Sequence, residues 1–155
     1  MNRHQEHDKS EMDVLSSSEC YQMLGARHIG RLGVVADLYP LIIPVNYALD
    51  RDVVVIRTAP GSTVARAEHA NVTFQVDEMD FTNDSGWSVL LRGQAESLTA
   101  EHSEELIERT RATGVEPWAP GERNHWMRII PHGISGRRIT PGEDLQWQLG
   151  SAAYM

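Results

Sequence analysis

The chain has 155 residues, 41% hydrophobic and 23% charged, which suits one domain with polar ends diluting a more apolar middle. Its formal net charge of −8 argues against a nucleic-acid binder, which needs a basic surface for counterion release, but leaves room for a phosphate-bearing small ligand held by local arginines and amides. One cysteine, Cys20, permits no intramolecular disulfide and fits a reducing, cytoplasmic setting, and there is neither a membrane-length apolar run nor a signal-peptide core.

Residues 1–13 are charged and nearly devoid of anything to bury, so they read as a disordered lead-in, with His4 and His7 solvated rather than metal-bound. Ser16 to Glu19 has the form of a capping box. A short helix carrying Cys20, Tyr21, Met23 and Leu24 follows, stopped by Gly25, with Leu15 placed as its hydrophobic staple.

Strands come next. Ile29 to Ala36 is rich in β-branched residues, and Asp37 to Pro40 makes a turn. Leu41 to Leu49 is a second strand containing Pro44, whose missing N–H points to an edge or a bulge. After the turn Asp50 to Asp52, Val53 to Arg57 completes an antiparallel meander.

Ala59-Pro60-Gly61 breaks the pattern, and Ser62 is placed to cap a short helix over Thr63 to His69. Val72 to Asp77 is a fourth strand, 78–86 a polar loop, and Trp87 to Leu98 a long fifth strand with Gly93 as a candidate bulge. Thr99 is the predicted cap of a helix with Glu101, Glu104 and Glu105 near its start and Arg109 and Arg111 near its end. Gly114 stops that helix, 115–124 is a loop, and His125 to Ile130 is a sixth strand, interrupted at Pro131 and extended by Gly133 to Ile139. Residues 140–155 read as a tail or arm. Six short strands with few helices and no βαβ alternation predict a mainly β, closed or nearly closed barrel, and G-x-G-x-x-G and Walker A motifs are absent.

Three places can carry chemistry. In Arg57-Thr58-Ala59-Pro60-Gly61-Ser62 a strand ends on a guanidinium and a hydroxyl before a glycine turn and a capped helix, a geometry that suits a phosphate and equally describes an ordinary turn with a surface arginine. Pro44-Val45-Asn46-Tyr47 has backbone groups not fully used by a sheet, which can contact a planar ring or simply mark an edge strand. Gly86-Trp87-Ser88 can present an indole to an aromatic ligand, although core packing is the commoner use of tryptophan. His28, His69, His102, His125 and His132 show no metal-ligand spacing, so no metal site is predicted, and no G-x-S-x-G nucleophile elbow exists.

The ordered set Gly30-Arg31-Leu32-Gly33, Pro44-Val45-Asn46-Tyr47, Arg57-Thr58-x-x-Gly61, Val76-Asp77, Gly86-Trp87-Ser88-Val89, Gly93-x-Ala95, Pro117-Trp118 and Gly136-Arg137-Arg138-Ile139 resembles the pyridoxamine 5'-phosphate oxidase-like family, in its flavin-binding split-barrel branch. The resemblance runs from about Leu15 to Ile139, within a domain spanning 14–139. It implies a six-stranded antiparallel split β-barrel, a homodimer, and two FMN sites at the subunit interface. By the same resemblance Pro44, Val45 and Asn46 line the isoalloxazine ring, and Arg57 and Thr58 meet the ribityl-phosphate end. Ser62 and Thr63 complete the phosphate cradle, and Trp87 and Ser88 approach from the partner chain. Many relatives carry lysine where this chain has Thr63; that removes one cation, for which Arg66 is the nearest replacement.

The implied function is a flavin-dependent oxidoreductase acting on a small molecule, with no side chain assigned as a catalytic acid or base. The alternative is a non-catalytic holder or sensor of a flavin, deazaflavin, haem or similar planar ligand. Oxidation of pyridoxamine phosphate itself is the less favoured activity, because 140–155 contains no lysine or arginine to hold a second phosphate.

Overall fold

The computed structural model describes residues 11–141; the expected tail beyond Pro141 and the lead-in before Glu11 lie outside them. The elements are β1 (Glu11–Val14), α1 (Ser17–Gly25), β2 (Ile29–Ala36), β3 (Tyr39–Asn46), β4 (Ala48–Asp50), β5 (Val53–Thr58), a 3-10 turn at Ala65–Ala67, β6 (Asn71–Asp80), β7 (Ser85–Ser97), α2 (Glu104–Ala112) and β8 (His125–Thr140). All six predicted strands form, the second one divided at Tyr47 into β3 and β4. The lead-in is corrected at its end: Glu11, Met12 and Asp13 pair with Thr140, Ile139 and Arg138.

The sheet is antiparallel and runs β3-β2-β6-β7-β8-β5-β4, with β1 added beside β8. Its two ends, β3 and β4, are successive stretches of chain, so the sheet curls back on itself. β3 ladders only with β2 and β4 only with β5. The opening left between β3 and β5 is the split of a split barrel.

Each strand turns alternate residues inward, the period expected for a sheet with one face on a core. Leu32, Val34, Phe74, Val76, Val89, Leu91, Val54, Ile56, Met127 and Ile129 meet inside. α1 closes one end of the barrel with Cys20 and Leu24, both fully buried. Its capping box is complete in both directions: Glu19 N–H donates to Ser16 Oγ at 3.2 Å, and Ser16 N–H to Glu19 Oε2 at 2.7 Å. The shift at Gly93 is confirmed, with the extra residue, His132, on the opposite strand: Arg92 pairs with Gly133 and Gly93 with Pro131. A Cβ on Gly93 would run into the carbonyl of Ile130, so the strands pass too closely there for any other residue.

Two local expectations are revised. α2 is capped by Ser103, whose Oγ accepts from Leu106 N–H at 3.2 Å, because Thr99 instead turns with His102. The helix expected over 63–69 shortens to the single turn at Ala65–Ala67, since His69 adopts a left-handed φ of 67° and its N–H bonds to Ala95 O.

α2 is tied to β4 and β8. There Asp50 accepts from Arg109 Nε and Arg128 Nη1, and Arg128 also reaches Thr110 Oγ1 at 2.6 Å. β5 is buried on both faces, from Val53 to Ile56.

Candidate functional site

The split positions the predicted residues. Ala48 pairs with Val55 in the β4–β5 ladder. Continuing that register past Tyr47 sets Asn46 opposite Arg57. The ladder does not continue, so β3 borders the opening there with an edge free of sheet pairing among the described residues. Tyr47 marks the divide: its N–H donates to His28 O at 3.0 Å and its hydroxyl to Leu24 O at 2.5 Å. Burial pushes the Tyr47 phenol well above its usual range, so it is a fixed neutral pillar rather than a proton donor for chemistry.

At the end of β5, Thr58 points inward and is buried, its Oγ1 2.7 Å from Ser62 Oγ. Ser62 Oγ in turn accepts from Ala65 N–H at 3.1 Å, and Gly61, at φ 72°, makes the turn between them. Thr63 is half-buried, and Arg66 Nη2 donates to its Oγ1 at 3.4 Å. This corner therefore gathers the hydroxyls of Thr58, Ser62 and Thr63 and the exposed guanidinium of Arg66. A guanidinium beside hydroxyl donors is chemistry that suits a phosphate.

Arg57 does different work from a free anchor. Its Nε donates to Arg123 O and its Nη1 to Val115 O, both at 3.2 Å. Its guanidinium carbon lies 4.8 Å from the centre of the Trp126 ring, the residue paired with it on β8. Asn46 is committed to the same loop, since Trp118 N–H donates to Asn46 Oδ1 at 2.9 Å. No local pattern announces either contact: they join residues 58 to 72 apart in sequence.

Beside Asn46 opens a cleft of about 630 Å³, lined by Arg27, His28, Tyr47, Leu49, Glu116 and Trp118. Its size is in the ordinary range for a small-molecule site.

Pro44, Val45, Asn46, Arg57, Thr58, Ser62 and Thr63 are thus gathered around one opening. Trp87 and Ser88 are not. They pair with Arg138 and Arg137 near the start of β7, whereas Ser97, at its other end, pairs with Met127, next to Arg57's partner Trp126. That is roughly 30 Å of strand from the β5 corner at the ordinary rise per residue, whereas across β6 and β2 the register carries Ser88, through Asp77 and Ile29, into line with Asn46. Trp87 packs against the core edge with the Arg27 guanidinium 5.8 Å from its ring centre, and Arg27 is paired with Glu78. Arg27 also lines the cleft beside Asn46, so it stands between that cleft and Trp87.

A curled antiparallel sheet with this opening is the architecture of a split barrel. Residues 16–138 match the family described as pyridoxamine 5'-phosphate oxidase, and the chain belongs to that family. The FAD-binding protein from Mycobacterium smegmatis superposes with a TM-score of 0.69 at 30% identity, over 82% of this chain and 97% of that one. An FAD-binding protein from Mesorhizobium loti gives 0.66 at 26% identity, over 85% and 99%. An uncharacterized protein of Mycobacterium tuberculosis is 30% identical over 92 residues, 59% of this chain and 79% of its own length. Among the described residues no group of His, Cys, Asp and Glu is disposed to hold a metal, and no helix is long and apolar enough to cross a membrane.

Proposed function

We propose that this protein binds FMN at the opening between β3 and β5 and uses it as an oxidoreductase on a small molecule. The observation that carries the reading is the convergence of the β3 edge at 44–46 with the Thr58–Ser62–Thr63 corner around one opening. Membership of the family across 16–138, and relatives that bind FAD at 26–30% identity, support a flavin. FMN and FAD share the riboflavin phosphate that this corner would hold.

In the proposed complex the flavin supplies the electron-transfer chemistry, and the chain binds and orients it. Thr58, Ser62, Thr63 and Arg66 take the phosphate, and the free edge of 44–46 meets the ring. Arg57 holds the loop that borders the ring's seat. The reading includes a homodimer, in which Trp87 and Ser88 of a second copy approach the site. The exposed apolar surface of the β2–β3 hairpin, where Val35 and Ile42 are each 74% accessible and Tyr39 71%, gives such a pairing something to bury.

The test is a flavin titration of the purified protein followed by gel filtration, then assay with a reduced nicotinamide donor and a series of acceptors. Expected are FMN absorbance in a dimer-sized peak and turnover faster than that of free FMN. A protein that leaves FMN in the free fraction overturns the proposal. Retention of FAD but not FMN overturns the choice of FMN and keeps the flavin. Tight FMN without turnover selects the non-catalytic holder.

A further inference from the structure

We infer that Trp118 is the aromatic cover of the flavin seat, its indole closing over the ring bound along β3; the inference rests on the flavin reading above and deepens it. Trp118 is 77% exposed, yet the loop that carries it is firmly held. Its own N–H bonds to Asn46, and Arg57 grips the loop at both ends through Val115 O and Arg123 O. Arg123 turns back to bond Ala119 O and Pro120 O. Pro117 and Pro120 fix φ on either side of Trp118, and Gly114 and Gly121, with φ of 67° and 97°, make the turns. The exposure of the indole is therefore built, not the result of a slack loop.

The place where it is displayed is specific. Trp118 lines the cleft of about 630 Å³ together with Asn46 and Tyr47, so the indole borders the free edge of β3. The side chains that fix the loop, Asn46 and Arg57, face each other across the opening proposed for the flavin. A rigid aromatic with few rotatable bonds contributes stacking area at little entropic cost, which is what a cover over a planar ring requires. A second copy of the chain is the competing use of an exposed indole, and the experiment separates the two.

The full chain, labelled with 5-fluorotryptophan, carries four indoles and gives one ¹⁹F line for each. Trp118→Phe identifies the Trp118 line by its loss. On FMN titration that line is expected to shift, with the same midpoint as the flavin absorbance. Trp118→Ala is expected to weaken FMN binding roughly three- to tenfold, the worth of one aromatic contact, and Trp118→Phe to retain most of the affinity. If FMN titrates by absorbance while the Trp118 line stays fixed, or Trp118→Ala binds as tightly as the parent, the cover is refuted and the flavin site stands. If sedimentation shows that Trp118→Phe dissociates the dimer while FMN leaves the parent's Trp118 line unmoved, the indole belongs to the interface between copies and the inference falls. If FMN does not bind at all, the flavin reading fails and this inference with it.

Discussion

Asp50 and Arg128 are 78 residues apart in sequence, yet Arg128 Nη1 donates to Asp50 Oδ2 at 2.8 Å, and both side chains are only 4% exposed. The pair fastens β4 to β8 under α2, and Arg109 and Thr110 tie the helix to it. Arg128 Nε has no partner among the described residues, so the guanidinium is already imperfectly compensated. Asp50→Asn is expected to lower unfolding free energy by about 3–5 kcal/mol, because it strands a buried cation. Urea denaturation measures it, and a loss below about 1 kcal/mol would mean that water reaches Arg128.

The same pair sets an acid limit. Burial pushes the Asp50 carboxyl up, but hydrogen bonds from Arg128 and Arg109, with their charges, outweigh that and hold it below the ordinary value of 3.8. A depressed folded-state pKa gives stability that is complete above the unfolded value and disappears as pH falls through the folded one. Stability should therefore be insensitive to Asp50 above about pH 5 and decline below pH 4. In Asp50→Asn the acid decline should be shallower; an identical slope in the two proteins would show that other carboxylates cause it.

His102 responds in the opposite direction. Its Nε2 lies 2.7 Å from Glu96 Oε1, and its Nδ1 is 3.1 Å from Thr99 N and 3.2 Å from Thr99 O, so the neutral ring accepts there and the charged ring donates. The Glu96 hydrogen bond, against a smaller effect of burial, raises the imidazole above its usual 6.5. A raised folded-state value gives stability that is complete below the unfolded pKa and disappears as pH rises through the folded one. NMR titration should place the His102 midpoint above 6.5, and Glu96→Gln should lower it. If Glu96→Gln leaves the midpoint where it was, the ion pair is not the cause.

Local chemistry was legible where the responsible residues are neighbours in sequence. Ser16 and Glu19 announced their capping box, Pro44 announced an edge strand, and Gly93 announced the register shift against β8. Asp50 read only as part of a turn, because a strand-end carboxylate looks the same whether it meets water or an arginine 78 residues later. Asn46 and Arg57 stood out in the sequence as candidate ligand contacts, but their hold on the 115–123 loop did not, since loop docking leaves no periodic trace. β1 escaped notice because all four of its residues are exposed and only pairing with β8 makes it a strand.

The β2–β3 hairpin carries an avoidable strain. Ala36 pairs with Tyr39, so Asp37 and Leu38 form a two-residue turn, both with positive φ, at 51° and 70°. Leu38 is 95% exposed and gains nothing from burial in this chain. A left-handed non-glycine residue costs about 1–2 kcal/mol, against about 0.5–1 kcal/mol for the extra chain entropy of glycine. Leu38→Gly should raise stability by up to about 1 kcal/mol in thermal or urea unfolding. Loss of stability in the monomer would mean that Leu38 makes contacts beyond this turn, and a loss seen only at high protein concentration would place it between copies.

Thr63 offers the sharpest test of where the phosphate sits. It stands half-buried at the corner with Thr58 and Ser62, and Arg66 Nη2 donates to its hydroxyl at 3.4 Å. A lysine in its place adds a second positive charge, an ammonium beside the Arg66 guanidinium, while the neighbouring Val64 and Ala65 stay buried. For a partly exposed charge pair the gain is about 1 kcal/mol, or roughly fivefold in affinity. Thr63→Lys should therefore tighten FMN but not riboflavin, which has the same ring and no phosphate. Adding salt should erase most of the gain, since exposed charges are screened. Equal tightening of both ligands would mean that the substitution acts through the ring or the fold. Weaker FMN binding by a folded Thr63→Lys variant would move the phosphate away from this corner, and Arg66→Ala, with FMN affinity unchanged, would say the same from the other side.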